Sequence, residues 1–180
     1  RISENHYHMT TTTAQAANVL SHLEYYLQLV WPELNVNVVS TTEQWAGAAI
    51  AGPKSRDLLQ KLCPKSEVSN ARLPFMGYIE GDLFGVKARI FRISFSGELA
   101  YEVNVESDNG NFMWEKIMEV GQEFKIEPCG TEALSTLRIE MGHVAGSELD
   151  GRTIPYDNSL EGLLSKKKDF IGKRSLSRKA

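Results

Sequence analysis

The chain has 180 residues, 42% of them hydrophobic and 24% charged, with a formal net charge of −3. Such proportions belong to a folded domain with room for a buried core and exclude intrinsic disorder. The negative balance gives no electrostatic basis for binding nucleic acid or an anionic membrane, either of which needs a clear positive excess.

Residues 2 to 10, with Ile2, Tyr7 and Met9 among polar neighbours, read as a strand, and the run Thr10 to Thr13 as its end and a helix cap. Ala16, Leu20, Leu23, Leu27 and Val30 then recur at helical steps until Trp31-Pro32 stops them. Val36 and Val38 alternate with Asn35 and Asn37 as a second strand, and Ala46, Ala48 and Ile50 make a third. Gly52-Pro53 opens a helix that carries Leu58, Leu59 and Leu62 inward before Pro64.

A strand-rich middle follows at 75 to 81, 85 to 95 and 99 to 105, with turns at Gly81-Asp82 and Ser96-Gly97, so an antiparallel meander is expected. Ser107-Asp108 caps a helix through Val120, with Met113, Ile117 and Val120 at core spacing. Thr131 caps another, in which Leu134, Leu137 and Met141 form the stripe and Gly142 the end. Residues 143 to 180 read as irregular. The fold class is α+β: antiparallel strands with helices packed on one face, built from βαβ-type units.

Ser94 to Glu102 is the most informative stretch. Leu99, Tyr101, Val103 and Val105 alternate with Ala100, Glu102 and Asn104, the period of a half-buried strand, so Glu102 faces away from the apolar side and Tyr101 packs into the core. Gly97 supplies the freedom that a turn or a close ligand approach needs, and a planar molecule could lie against Phe95 with Glu102 at its edge. A glutamate on the polar face of a strand is otherwise an ordinary solvated side chain.

Other signatures are mostly negative. No dinucleotide fingerprint, phosphate loop or nucleophile elbow occurs. His6 and His8 at alternate positions of a strand would face one side, as metal ligands can, but no third ligand follows at a recognisable spacing, and no metal site is expected. His22 and His143 are lone histidines. Cys63 and Cys129 form neither a C-x-x-C pair nor a disulfide framework, which makes a reducing cytoplasm the expected compartment. Without a run of about 18 apolar residues or a cleavable signal, the chain is expected neither to span nor to enter a membrane. The basic run Lys166-Lys167-Lys168 with Lys173, Arg174, Arg178 and Lys179 reads as a solvated linker, or less plainly as an anion-binding tail. Arg1-Ile2-Ser3-Glu4 has no initiator methionine, and the expectation is a fragment of a longer polypeptide.

Five segments carry a family resemblance in order and spacing: Asn5 to Thr13, Thr42 to Trp45, Ala51 to Arg56, Phe91 to Glu102, and Lys167 to Leu176. Together they resemble the folate-binding region of the aminomethyltransferase (T-protein) family, in the branch formed by alpha subunits of heterotetrameric sarcosine oxidase, with dimethylglycine oxidase as a further relative. The resemblance implies a partial folate-binding fold over 1–165 and a basic linker over 166–180 leading to an absent terminal β-barrel.

It also implies a division of labour. A flavin centre elsewhere oxidises the N-methyl group of sarcosine to an imine, leaving glycine, and tetrahydrofolate in this region captures the one-carbon unit as 5,10-methylenetetrahydrofolate; without folate, formaldehyde is released. The implied cofactors are tetrahydrofolate here and FAD, FMN and NAD elsewhere in the complex, and the implied partners are the other oxidase subunits.

Glu102 matches the second glutamate of the T-protein Gly-Glu-x-x-x-Glu pattern, which pairs with the pterin ring. Gly97 and Glu98 match its start, Glu98 being expected to organise the turn. Phe95 stands where relatives place a tyrosine and keeps only an aromatic face for stacking, and Leu134 stands where the T-protein has a folate-contacting arginine. The aspartate that assists methylene transfer in the T-protein precedes Arg1, so no catalytic residue is expected in this piece. Alone it is expected to lack oxidase activity and to bind tetrahydrofolate weakly or not at all. Two alternatives stay open. A non-catalytic iron–sulfur assembly protein of the same fold would need a cysteine motif absent from Lys168 to Lys173; the other is a module that only docks subunits.

Overall fold

In the computed structural model, which describes residues 1–177, one antiparallel sheet organises the chain. Its strands are β1 (Trp45–Ala51), β2 (Tyr78–Leu83), β3 (Val86–Phe91) and β4 (Ala100–Glu106), in the order β1-β4-β3-β2. Every neighbouring pair is antiparallel, so β1 and β2 form opposite edges and the expected βαβ units are absent from this sheet. The helices are α1 (Ala16–Tyr25), α2 (Ser55–Leu62), α3 (Gly110–Gly121), α4 (Thr131–Glu140) and the single turn α5 (Lys173–Leu176).

One face of the sheet is the core. Ile50, Ile79, Leu83, Ala88, Ile90, Tyr101, Val103 and Val105 meet Leu58, Leu59 and Leu62 of α2 and Met113 and Ile117 of α3, all buried. The period-2 pattern of the strands and the leucine spacing of α2 produce this layer directly. Tyr101 is fully buried, as its alternation with Glu102 requires, but its hydroxyl has no hydrogen-bond partner. A buried hydroxyl without a partner keeps its desolvation penalty, so Tyr101→Phe is expected to raise stability by about 1 kcal/mol, read from urea midpoints at unchanged slope.

Four local expectations are corrected. Residues 2–10 form no strand beyond one Ser3–His6 bridge closed by the Ile2 amide on the His6 carbonyl at 2.8 Å; Tyr7 and Met9 are exposed, so their alternation has no apolar face to bury. His6 and His8 therefore do not share a strand face, His8 stacks against Phe91 instead, and no group of metal-binding side chains exists among the described residues. Val36 and Val38 lie in extended chain without a strand partner, and Val36 is exposed. The β2–β3 turn is Phe84-Gly85, both at positive φ, rather than Gly81-Asp82. Gly81 belongs to β2 because a Cβ there would stand 2.8 Å from Ile90 Cδ1, while Asp82 accepts the Gly85 amide at 2.9 Å and so sets the turn one step later.

The other helix boundaries follow the sequence closely. α1 continues as a π-helical turn over Tyr26–Val30 and stops at Trp31, and Thr131 is the first residue of α4, with Gly130 in the capping position. Gly142, at φ 73°, ends the last turn after α4 as expected. α1 and the segment 38–42 stand over the second face of the sheet.

Candidate functional site

The second face of the sheet carries the polar residues of the same strands. Glu102 of β4 lies between Ala49 of β1 and Phe91 of β3, and the next row is Gly47, Asn104 and Arg89. Gly47 and Ala49 leave space that a larger residue would fill. A Cβ on Gly47 would stand 2.7 Å from Asn104 Oδ1, so the asparagine amide occupies the space a side chain there would take. Glu102 is half-buried, and its carboxylate has no hydrogen bond or ion pair among the described residues. Burial therefore pushes its pKa up, with no cation offsetting the effect.

A neutral carboxyl is thus favoured by folding at this position. Because the folded value lies above the ordinary one of about 4.5, the associated stability is fully present below that value and is lost as pH rises through the raised one. Glu102→Gln is accordingly expected to melt a few degrees higher than the parent at pH 7, with the difference vanishing near pH 4; calorimetric scans at both values check it.

The loop before β4 is fixed by backbone anchors. The Leu99 carbonyl accepts both the Gly52 amide at 2.9 Å and the Ser55 hydroxyl at 2.8 Å, which ties the loop to the start of α2. Arg92 donates to Asn70 Oδ1 at 2.6 Å, and Ser96 is buried. Phe95, 44% exposed, presents its ring beside His143 at 6.0 Å, whose Nδ1 donates to the Phe95 carbonyl at 3.0 Å. His143 is held in turn by Arg138, which donates to its carbonyl at 3.0 Å and pairs with both oxygens of Glu148.

Glu102 and Phe95 line one cavity of about 850 Å³ between β1, the end of α3 and α4, with Leu134 on the same wall. Gly97 and Glu98 are not part of it. Gly97 sits at φ 83° against Met141, and Glu98 is exposed. A glycine is required at 97 both by the positive φ and by the Met141 side chain packed against it. Gly97→Ala is expected to cost about 1–2 kcal/mol from the left-handed backbone and more from its overlap with Met141, where a Cβ would run into Cγ, so Met141→Ala in the same chain should restore the steric part and leave the backbone part, as chemical unfolding would show.

A second cavity, of about 390 Å³, lies on the other side of Glu102 under α1. Arg89, Asn104 and Trp45 contribute to it; Trp45 closes one of the segments that carry the resemblance, while Arg89 and Asn104 have no signal as site residues in the sequence. Ala88 and Ile90 are the apolar positions of β3, so the alternation already turned Arg89 the opposite way, but only the strand register sets it beside Glu102. Cys129 and Lys125 also line the larger cavity and were missed for the same reason, being brought there by the loop after α3.

Comparison with known proteins places the chain in a family. The GCVT N-terminal domain family matches residues 1–168. The chain belongs to that family. This GCVT domain is 48% identical over 180 residues, 99% of its length, to the sarcosine oxidase alpha subunit of Corynebacterium sp. (strain P-1), and 46% identical over 181 residues to that of Rhizobium meliloti (strain 1021). It is also 35% identical over 146 residues to the aminomethyltransferase of Bacillus subtilis (strain 168), a match that covers 79% of this chain and 40% of the relative. The domain spans only 19% and 18% of the two alpha subunits. No helix among the described residues is long and apolar enough to cross a membrane.

Proposed function

We propose that this GCVT domain is the tetrahydrofolate-binding part of a sarcosine oxidase alpha subunit, where the one-carbon unit released by oxidation of an N-methyl amine is captured. The observation that carries the reading is the unpaired, half-buried Glu102 carboxylate on the wall of the 850 Å³ cavity that Phe95 also lines. A carboxylate offers two parallel acceptors, and the pyrimidine edge of a pterin offers two parallel N–H donors, so one glutamate fixes both position and orientation. A bound heterocycle would also supply the donors that Glu102 lacks within the chain. Tetrahydrofolate, when bound, supplies the nitrogens that accept the one-carbon unit.

The residues then have distinct tasks. Glu102 orients the ring edge, and Phe95 offers an aromatic face to it. Leu134 and Leu137, with the apolar wall of β1, exclude water from the space where the reactive carbon must survive. The Gly52 and Ser55 contacts on Leu99 hold the approach loop in register with β4. Gly97 and Glu98 shape the loop and do not face the cavity.

The names of the relatives support an assembled oxidase with other subunits, and flavin and nicotinamide cofactors would belong to those other parts. The test is product partition in the intact protein carrying this domain. With tetrahydrofolate present, methylene capture should exceed formaldehyde release, and Glu102→Ala should reverse that ratio while assembly is retained. An unchanged ratio with assembly intact favours a docking module. That second reading draws on the exposed apolar side chains Tyr25, Leu29, Trp31 and Leu34 along one stretch.

A further inference from the structure

Two cations stand together on this domain with no anion between them. Arg56, in the first turn of α2, and Arg92, just after β3, both donate to one oxygen, Asn70 Oδ1, each at 2.6 Å. That acceptor is neutral. Arg92 reaches only the Leu73 carbonyl besides, at 3.4 Å, and neither guanidinium has an ion pair among the described residues. Sharing one acceptor forces like charges close, a placement that repels unless an anion joins it. Both arginines are half-buried, Arg56 with the Tyr101 ring 5.9 Å away, and most of their N–H groups are unused.

The neighbouring loop, 74–77, is apolar where a loop is ordinarily polar. Phe75 and Met76 are 65% and 70% exposed, and Met76 holds φ 62°, a left-handed conformation that a long side chain adopts only at a cost. The backbone locks it there: the Met76 amide donates to the Arg92 carbonyl at 2.9 Å, the Arg92 amide to the Gly77 carbonyl at 2.9 Å, and the Gly77 amide to the Pro74 carbonyl at 2.7 Å. The two exposed apolar side chains and the two cations thus belong to one tied structure, and none of these residues lines either cavity.

We propose that this surface docks a carboxylate-bearing segment from another part of the same polypeptide, its acid received by Arg56 and Arg92 and its apolar neighbours covering Phe75 and Met76. Charge sets the occupant. A cationic segment would be repelled, and a wholly apolar one would bury two unpaired guanidinium groups at high cost. A carboxylate takes several N–H donors at once, which two arginines with unused donors supply. Chain to provide it is at hand in the relatives, of which this domain spans only 19% and 18%. The inference rests on the reading of this domain as one portion of a longer subunit, and not on its ligand.

The test uses the intact protein carrying this domain, without folate. Arg56→Glu sets a carboxylate beside Arg92 from within and should release the docked segment, so peroxide should oxidise Met76 at least about tenfold faster than in the parent, read by mass spectrometry. Arg56→Lys keeps the charge and adds an amine. A water-soluble carbodiimide should then form an amide, absent from the parent, with an aspartate or glutamate outside these 180 residues. Circular dichroism first shows both variants to keep the parent fold. Met76 oxidised as fast in the parent as in Arg56→Glu overturns the inference. So does a new amide made only to an acid within this domain or on a second copy, or no new amide at all. Product partition with tetrahydrofolate is a separate readout, so either reading can fail while the other stands.

Discussion

If the proposed function holds, truncating Glu102 to alanine is expected to weaken binding of tetrahydrofolate to the intact protein ten- to a hundredfold. The size follows from what is removed: charge-assisted hydrogen bonds to a carboxylate contribute roughly 1.5–3 kcal/mol each, and 1.4 kcal/mol is a factor of ten. Among the described residues the only other acidic side chain lining the 850 Å³ cavity is Glu127, on the loop after α3. The protein itself should survive the change, since the carboxylate holds no structural contact and its burial opposes folding at neutral pH. Glu102→Gln separates charge from shape. It keeps one acceptor and replaces the other by a donor that faces a donor on the ring, so its affinity should fall nearly as far as that of Glu102→Ala. Equilibrium titration of both variants, beside their melting curves, checks that binding is lost while stability is kept.

Leu59→Ala should act in the opposite sense, lowering stability by about 2–5 kcal/mol. Leu59 is 0% exposed at the centre of the α2 layer, against the strand residues that position Glu102 on the far face. A loss of that size is a large part of the roughly 5–15 kcal/mol that holds a domain folded, so expression and melting temperature should both drop. Leu29→Ala is the control: at 70% exposure it should change stability by no more than about 0.5 kcal/mol. Denaturant midpoints for the two variants provide the comparison, and equal losses would contradict the assignment of the core to the α2–α3 side of the sheet.

Legibility in the sequence divided along physical lines. Where one face of an element is buried, its period was visible: the leucines of α2, the core positions of α3 and the alternation of β4 all survive in the structure. Glu102 belongs to this class, because its alternation with the fully buried Tyr101 and Val103 sets its direction. Val36, Val38 and residues 2–10 failed for the complementary reason. Their alternation is real, but with no neighbouring strand the backbone groups have no ladder to join. The Gly81-Asp82 pair has turn chemistry, yet packing of Ile90 against Gly81 and the Asp82 hydrogen bond moved the turn to Phe84-Gly85.

The candidate site was half visible. Phe95 and Glu102, singled out by the family resemblance, line one cavity, while Gly97 and Glu98, which match the same pattern, lie outside its lining. Arg89 and Asn104 could not be found, because the relation between them and Glu102 is a matter of strand register, which no local pattern in β3 or β4 encodes.

The most direct measurement is a crystal structure of the intact protein with tetrahydrofolate. The account predicts both Glu102 oxygens on the N–H edge of the pterin, with the ring beside Phe95 in the larger cavity. A pterin bound elsewhere, or a Glu102 carboxylate taken up by a cation from another part of the assembly, would contradict it.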